Sequence, residues 1–339
     1  MSRTWNWNRL LGVALATAAV SLTAPSAYAA KPRLVVYTYD AFAAKWGPGP
    51  KVEAAFEARC GCDLKFVALD SSVGILSRLK LEGSQTRADV ALGLDTSLLA
   101  DARASGLFAE HGLPTGRVTL PGGWRDRDFV PFDYGYFAFV YDSTRLKAPP
   151  RSLAELAASS PKLKIIIEDP RSSTPGLGLL LWVKSVYGDR AAGFWRQLAP
   201  HIVTVTKGWS EAYGLFLDGE ADMVLSYTTS PAYHVIAEHK TRYRAAAFSE
   251  GHYMQIEIAG KLKHAPHPAL ADKFLAFLLD PAFQSLIPTG NWMFPVTRVA
   301  LPKEFGQLVQ PAISLILPES EIAAHRKAWI AEFVTALGR

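Results

Sequence analysis

The sequence predicts an α/β protein built on parallel sheet and organised as two lobes, with the chain crossing between them on extended segments. Three observations carry this prediction. Apolar strand-like runs alternate with helix-periodic segments, the order that a parallel sheet covered by helices requires. About 310 residues follow a leader-like N-terminus, enough for two domains of roughly 150 residues each. No low-complexity linker and no internal repeat divides the chain, so crossing strands rather than a tether are expected to join the lobes.

Residues 1–29 have the layout of a secretory signal peptide. Arg3 and Arg9 give a positive start, Leu10 to Val20 is nearly all apolar, and Ala27 and Ala29 set an A-x-A cleavage pattern ending at Ala29. The apolar run is short of the ~20 residues that span a bilayer. No cysteine lies near the junction to carry a lipid anchor. A soluble protein outside the cytoplasm, with no membrane insertion, is expected. Cleavage takes two positive charges from a formal +5, and the remaining basic residues are scattered, so no nucleic-acid partner is expected.

The mature chain then reads β-α-β-α-β. Leu34 to Thr38 is a strand, Pro50 to Arg59 a helix ended by Gly61, Leu64 to Leu69 a strand, and Val73 to Glu82 a helix. Ala88 to Leu94 is almost continuously apolar, as a strand buried on both faces should be. A second set follows: strands at Phe129 to Tyr141, Lys164 to Ile167, Ile202 to Val205 and Met223 to Ser226, with a helix from about Pro175 to Val186. Phe248 to Ala259 is extended again, and helices are expected at Pro268 to Leu279 and Glu319 to Leu337. The aromatic run at 129–141 and the 248–259 stretch are the expected crossings. Lobe 1 would then comprise 30–134 with 251–339, and lobe 2 would comprise 135–250.

Cys60 and Cys62 are the only cysteines. In an oxidising compartment they can pair, and Gly61 permits the turn. One C-x-C supplies too few ligands for a closed metal site, so a structural role and no metal are expected.

Ligands on parallel sheets bind beyond the carboxyl ends of the strands. Loops there carry Tyr39, Trp209, Tyr227 and Tyr233, and Trp292 sits in a Pro- and Gly-containing segment near the end. One such ring alone is more simply a core residue. Their repetition after strand ends points instead to an aromatic cage, which suits a flat or cationic ligand. In Asp169-Pro170-Arg171-Ser172-Ser173-Thr174-Pro175-Gly176, Ser173 or Thr174 precedes a proline at a helix start. Such a start is either an ordinary cap or an anion site. Ser230-Pro231 repeats the pattern. His234 and His239 are expected on the polar face of a helix. No pair of carboxylates suggests acid–base chemistry, and no nucleophile or phosphate-loop motif occurs.

The strings YTYDAFAAKWGPGP, VPFDYGYFAFVYD, DPRSSTPGLGLLLW, VTVTKGWSEAYGLFL, LSYTTSPAYH and IPTGNWMFPV closely resemble the periplasmic thiamine-binding proteins of bacterial ABC importers. The resemblance spans the mature chain. It implies a type II periplasmic-binding fold, two doubly wound lobes closing on a cleft, and no catalytic residue or cofactor. It implies capture of thiamine, thiamine monophosphate or thiamine diphosphate by a monomer, and delivery to a permease with a cytoplasmic ATPase. It places the ring contacts on Tyr39, Trp209, Tyr227, Tyr233 and Trp292, and a phosphate contact on Ser173. The loop Asp70-Ser71-Ser72 departs from the more acidic, Gly-containing turn of the family; there Ser72 would serve by side chain or amide. Two rivals share the fold: a thiamine-degrading enzyme, for which only Cys60 and Cys62 offer a thiol, and a binder of ferric iron or another small ion, for which the paired tyrosines are missing.

Overall fold

The computed structural model describes residues 31–338, so the predicted signal peptide lies outside the described residues. The principal strands are β1 (Arg33–Tyr39), β2 (Asp63–Leu69), β3 (Val90–Asp95), β4 (Phe129–Asp142), β5 (Ile165–Glu168), β6 (Ile202–Thr206), β7 (Met223–Tyr227) and β8 (His252–Leu262). The principal helices are α1 (Gly49–Cys60), α2 (Ser72–Glu82), α3 (Leu99–Ala104), α4 (Thr174–Tyr187), α5 (Ala191–Leu198), α6 (Trp209–Leu217), α7 (Pro231–Ala237), α8 (Pro268–Leu278) and α9 (Glu319–Ala336).

The strands join in the order β2-β1-β3-β8-β4-β7-β5-β6. β1 is parallel to β2 and β3, and β5 is parallel to β6 and β7. The two central strands are antiparallel to their neighbours. β3 and β5 are buried along their whole length, which is why their sequences are apolar up to the final Asp95 and Glu168. β4 and β8, on the two stretches expected to cross, lie at the centre of the sheet. β4 pairs with β8 from Phe129 to Tyr136 and with β7 from Phe137 to Tyr141, so its partner changes between Tyr136 and Phe137.

That register places the ligand side of both sets of strands. β3 ends at Asp95, which pairs with Glu257, and Glu257 pairs with Asp133. β7 ends at Tyr227, opposite Phe137. The two sets run in opposite directions, so their carboxyl ends meet over the short stretch 133–137. Two irregularities sit there. Gly93 bulges from β3 at φ +95°, and Phe132 is passed over where β8 shifts from Asp133 to Pro131. A proline in a central strand lacks a ladder donor, and the bulge is what accommodates Pro131.

α9 packs across both sets. Its Phe333 meets Trp195 of α5 edge-on at 4.9 Å between ring centroids, Glu332 pairs with Lys184 of α4 at 2.9 Å, and Arg326 pairs with Asp101 of α3. Among the described residues no helix is long and apolar enough to cross a membrane. α1 ends on Gly61 in the left-handed region, φ 64°, and Cys60 and Cys62 form a disulfide across it.

Two local expectations are corrected. His234 is fully buried rather than on a polar face: its Nε2 meets the Tyr213 hydroxyl at 2.9 Å and its Nδ1 meets Glu238 at 2.7 Å. Burial holds its imidazole below the ordinary pKa. Ser230 has helical backbone and does not cap α7; its hydroxyl accepts from the Tyr227 amide and bonds Ser226.

Candidate functional site

Six of the seven predicted site residues lie at or a few residues beyond a strand end, and Trp292 does not. Tyr39 is the last residue of β1 and Tyr227 the last of β7. Trp209 and Tyr233 stand on the first turns of α6 and α7 rather than in loops. Trp292 follows a short helical turn at Ile287–Gly290, with φ +57°, a left-handed conformation that a bulky side chain rarely adopts.

A buried polar network draws the rings together. The Tyr39 hydroxyl donates to Glu257 Oε2 at 2.8 Å, and the Tyr227 hydroxyl donates to Gln255 Oε1 at 2.8 Å. Gln255 Nε2 in turn donates to Glu257 Oε1 at 3.3 Å. Asn291 Nδ2 approaches the Tyr39 oxygen at 2.8 Å and Asp133 Oδ2 at 2.6 Å, which fixes the neighbouring Trp292. Trp292 meets Tyr233 edge-on at 5.3 Å. Trp209 joins less directly: its indole donates to Ser226 Oγ at 2.8 Å, beside Tyr227, while its ring stacks on Tyr213 at 5.0 Å. Tyr39, Tyr227, Tyr233 and Trp292 thus share one connected surface, and Trp209 borders it.

The glycine at the β3 bulge sets where Tyr39 lies. A Cβ on Gly93 would run into the Tyr39 ring, and the positive φ independently disfavours any other residue. Gly93 also ties the rings to the helix starts, since Ser72 Oγ donates to its carbonyl.

Three loops gather at the other end. Thr174 Oγ1 donates to Ser72 Oγ at 2.8 Å, bringing the first turns of α2 and α4 into contact. Ser172 Oγ donates to the Lys207 carbonyl at 2.9 Å, and Lys207 faces Asp70 at 3.6 Å. Ser173 is the N-cap of α4, but its oxygen is 3.5 Å from the Gly176 amide, a long bond. Ser72 and Ser173 are both buried, and the hydroxyl of Ser72 is already engaged on both sides.

The sequence reading missed the carboxyls. Asp133 and Glu257 face each other on adjacent strands, where no carboxylate pair was expected. Burial, then the Glu257 charge, raises Asp133 well above the usual carboxylate range; burial pushes Glu257 up to about 7. Burial also raises Asp95 and Glu168. The Tyr227 hydroxyl is raised by burial and then by the charges of Glu257, Glu168, Asp95 and Asp133. The available signal was a charged residue inside an apolar strand, as in Phe132-Asp133-Tyr134 and Ile256-Glu257-Ile258. Among the described residues no group of His, Cys, Asp and Glu is placed to hold a metal ion, and no cysteine is free.

Residues 22–285 match the family model described as bacterial extracellular solute-binding protein. The chain belongs to that family. The thiamine-binding periplasmic protein of Salmonella typhimurium is 59% identical over 310 residues, covering 91% of this chain and 95% of that one. The Haemophilus influenzae protein of the same name is 42% identical over 332 residues, covering 97% and 99%. A solved structure described as a periplasmic thiamin binding protein superposes with a TM-score of 0.90 at 58% identity, covering 91% of this chain and 97% of that one. The apo ferric ion-binding protein A of Pasteurella haemolytica superposes with a TM-score of 0.75 at 17% identity, covering 90% and 98%. At that identity the likeness concerns the fold alone, and the solute-binding proteins share the mixed α/β periplasmic-binding fold seen here.

Proposed function

We propose that this chain is the periplasmic binding component of an ABC importer for thiamine and its mono- and diphosphate. The observation that carries the reading is that one buried polar network joins Tyr39 and Tyr227 at facing strand ends and includes Asn291, next to Trp292, whose ring meets Tyr233. Aromatic faces suit the flat aminopyrimidine and the permanently cationic thiazolium. The facing first turns of α2 and α4, with Ser72 and Ser173, are the place for a phosphate tail, since helix starts present free amides and a positive dipole end. Lobe 1 comprises 30–134 with 251–339, and lobe 2 comprises 135–250. Closure requires that ligand bind the closed form more tightly than the open one. The protein acts as a monomer and hands its ligand to a permease driven by a cytoplasmic ATPase.

Titration calorimetry with thiamine, its two phosphates, ferric citrate and sulfate tests this. Heat with the thiamine species alone is expected; none with any of them overturns the reading.

A further inference from the structure

Asp95, Asp133, Glu168 and Glu257 come from the ends or middles of four strands, and their charges all act on the Tyr227 hydroxyl. All four are buried, and among the described residues none forms an ion pair with Lys, Arg or His. Asp133 Oδ1 and both oxygens of Glu168 have no hydrogen-bond partner at all. Removing a carboxylate from water without a counter-ion costs several kcal/mol, so such groups take up protons or await a cation.

Every neighbour of the Asp133–Glu257 pair is neutral or acidic. Tyr39 faces it from β1, Asp95 from β3, Tyr227 from β7 and Asn291 from the C-terminal segment, and Gln255 is on the same strand. Arg326 of α9 is paired with Asp101 and has only a small effect on Asp95.

We infer that the Asp133–Glu257 pair is the counter-ion of the ligand's cationic ring, holding a proton in the empty cleft and releasing it on capture. This rests on the thiamine reading and adds to it a basis for selecting charge. In the step, a carboxyl O–H bond breaks, its proton passes to solvent, and the carboxylate left behind pairs with the incoming cation. Charge is conserved. A neutral ring of the same shape would gain only the aromatic contacts.

The test is calorimetry on the full mature chain at pH 6.5, in buffers that differ in ionisation enthalpy. The two probes are thiamine and an analogue whose thiazolium is replaced by a neutral thiophene. Wild type should release between about half a proton and one proton per thiamine bound, and none with the analogue. Glu257→Gln should abolish the release and weaken thiamine about tenfold, with the analogue changed less than about twofold. Thiamine binding without proton exchange in the wild type overturns this inference and leaves the thiamine reading standing. So does an unchanged release in Glu257→Gln. No heat with thiamine overturns both. If Glu257→Gln does not fold, the wild-type proton count and Asp133→Asn decide.

Discussion

Thr174 of α4 donates its hydroxyl hydrogen to Ser72 of α2 at 2.8 Å, so two helix starts that follow different sets of strands touch directly. Both residues are buried. The bond exists only while these two turns are together, so under the proposed lobe closure its energy favours the closed arrangement. Thr174→Val keeps the shape and removes the donor. A net loss of about 1 kcal/mol is expected, equivalent to roughly fivefold weaker binding of every thiamine form by calorimetry. Unaltered affinity would show that the bond does not bias closure.

Ser173→Ala separates capping from phosphate recognition. The long 3.5 Å contact to the Gly176 amide makes the cap a weak one. A stability loss at the low end of the ~0.5–2 kcal/mol range for caps is expected in urea unfolding. Binding of the mono- and diphosphate should fall several-fold more than binding of free thiamine. Equal loss for all three would assign the hydroxyl to capping alone.

Gly93→Ala should damage both fold and site. The new methyl would meet the Tyr39 ring, and alanine at φ +95° is strained by about 1–3 kcal/mol before any clash is counted. Urea unfolding should show a loss of at least about 2 kcal/mol, and thiamine affinity should fall with it, because Tyr39 must shift from Glu257 and Asn291. Stability within ~0.5 kcal/mol of wild type would mean that Tyr39 has room that the structure does not show.

Trp292 and Trp209 differ in how they are held. Trp292 occupies the left-handed region, so Trp292→Gly relieves backbone strain while deleting the ring. It should weaken thiamine by about tenfold or more, while its thermal midpoint falls less than that of Trp209→Ala. Trp209→Ala loses the stack on Tyr213 and the bond to Ser226 as well as the proposed ligand contact. Should Trp292→Gly bind thiamine like wild type, the ring is no part of the cage.

The alternation of strands and helices was legible because burial on two faces writes itself as apolar runs, as in β3 and β5. Helix starts were legible at Ser173 and Gly61 marked a helix end, since caps depend on one or two local residues. The carboxyl pair was not: Asp133 and Glu257 lie on distant segments, and only the β4–β8 register brings them opposite each other. His234 misled for a related reason. Its burial depends on Tyr213 and Tyr243 from other elements, which no local pattern encodes. The candidate rings stood out in the sequence by their repetition, but Asn291, which bonds Tyr39 and precedes Trp292, carried no signal of its own.

The same buried carboxyls give the unliganded protein a distinctive pH dependence. Glu257 sits near 7 in the fold against 4.5 when unperturbed, and Asp133 is raised as well. Between those values the folded state keeps a proton that the unfolded chain releases. The stabilisation is therefore complete below about 4.5 and is lost as pH rises through about 7. One group contributes a slope of at most about 1.4 kcal/mol per pH unit. His234 and His252, lowered by burial, act in the opposite sense near the same range, so the informative quantity is a difference between variants. The thermal midpoint of Glu257→Gln should gain on that of wild type as pH rises from 5 to 8. Saturating thiamine should shrink the gap by supplying wild type with the missing cation. A gap that does not change with pH would show that Glu257 ionises in the empty cleft as readily as in water.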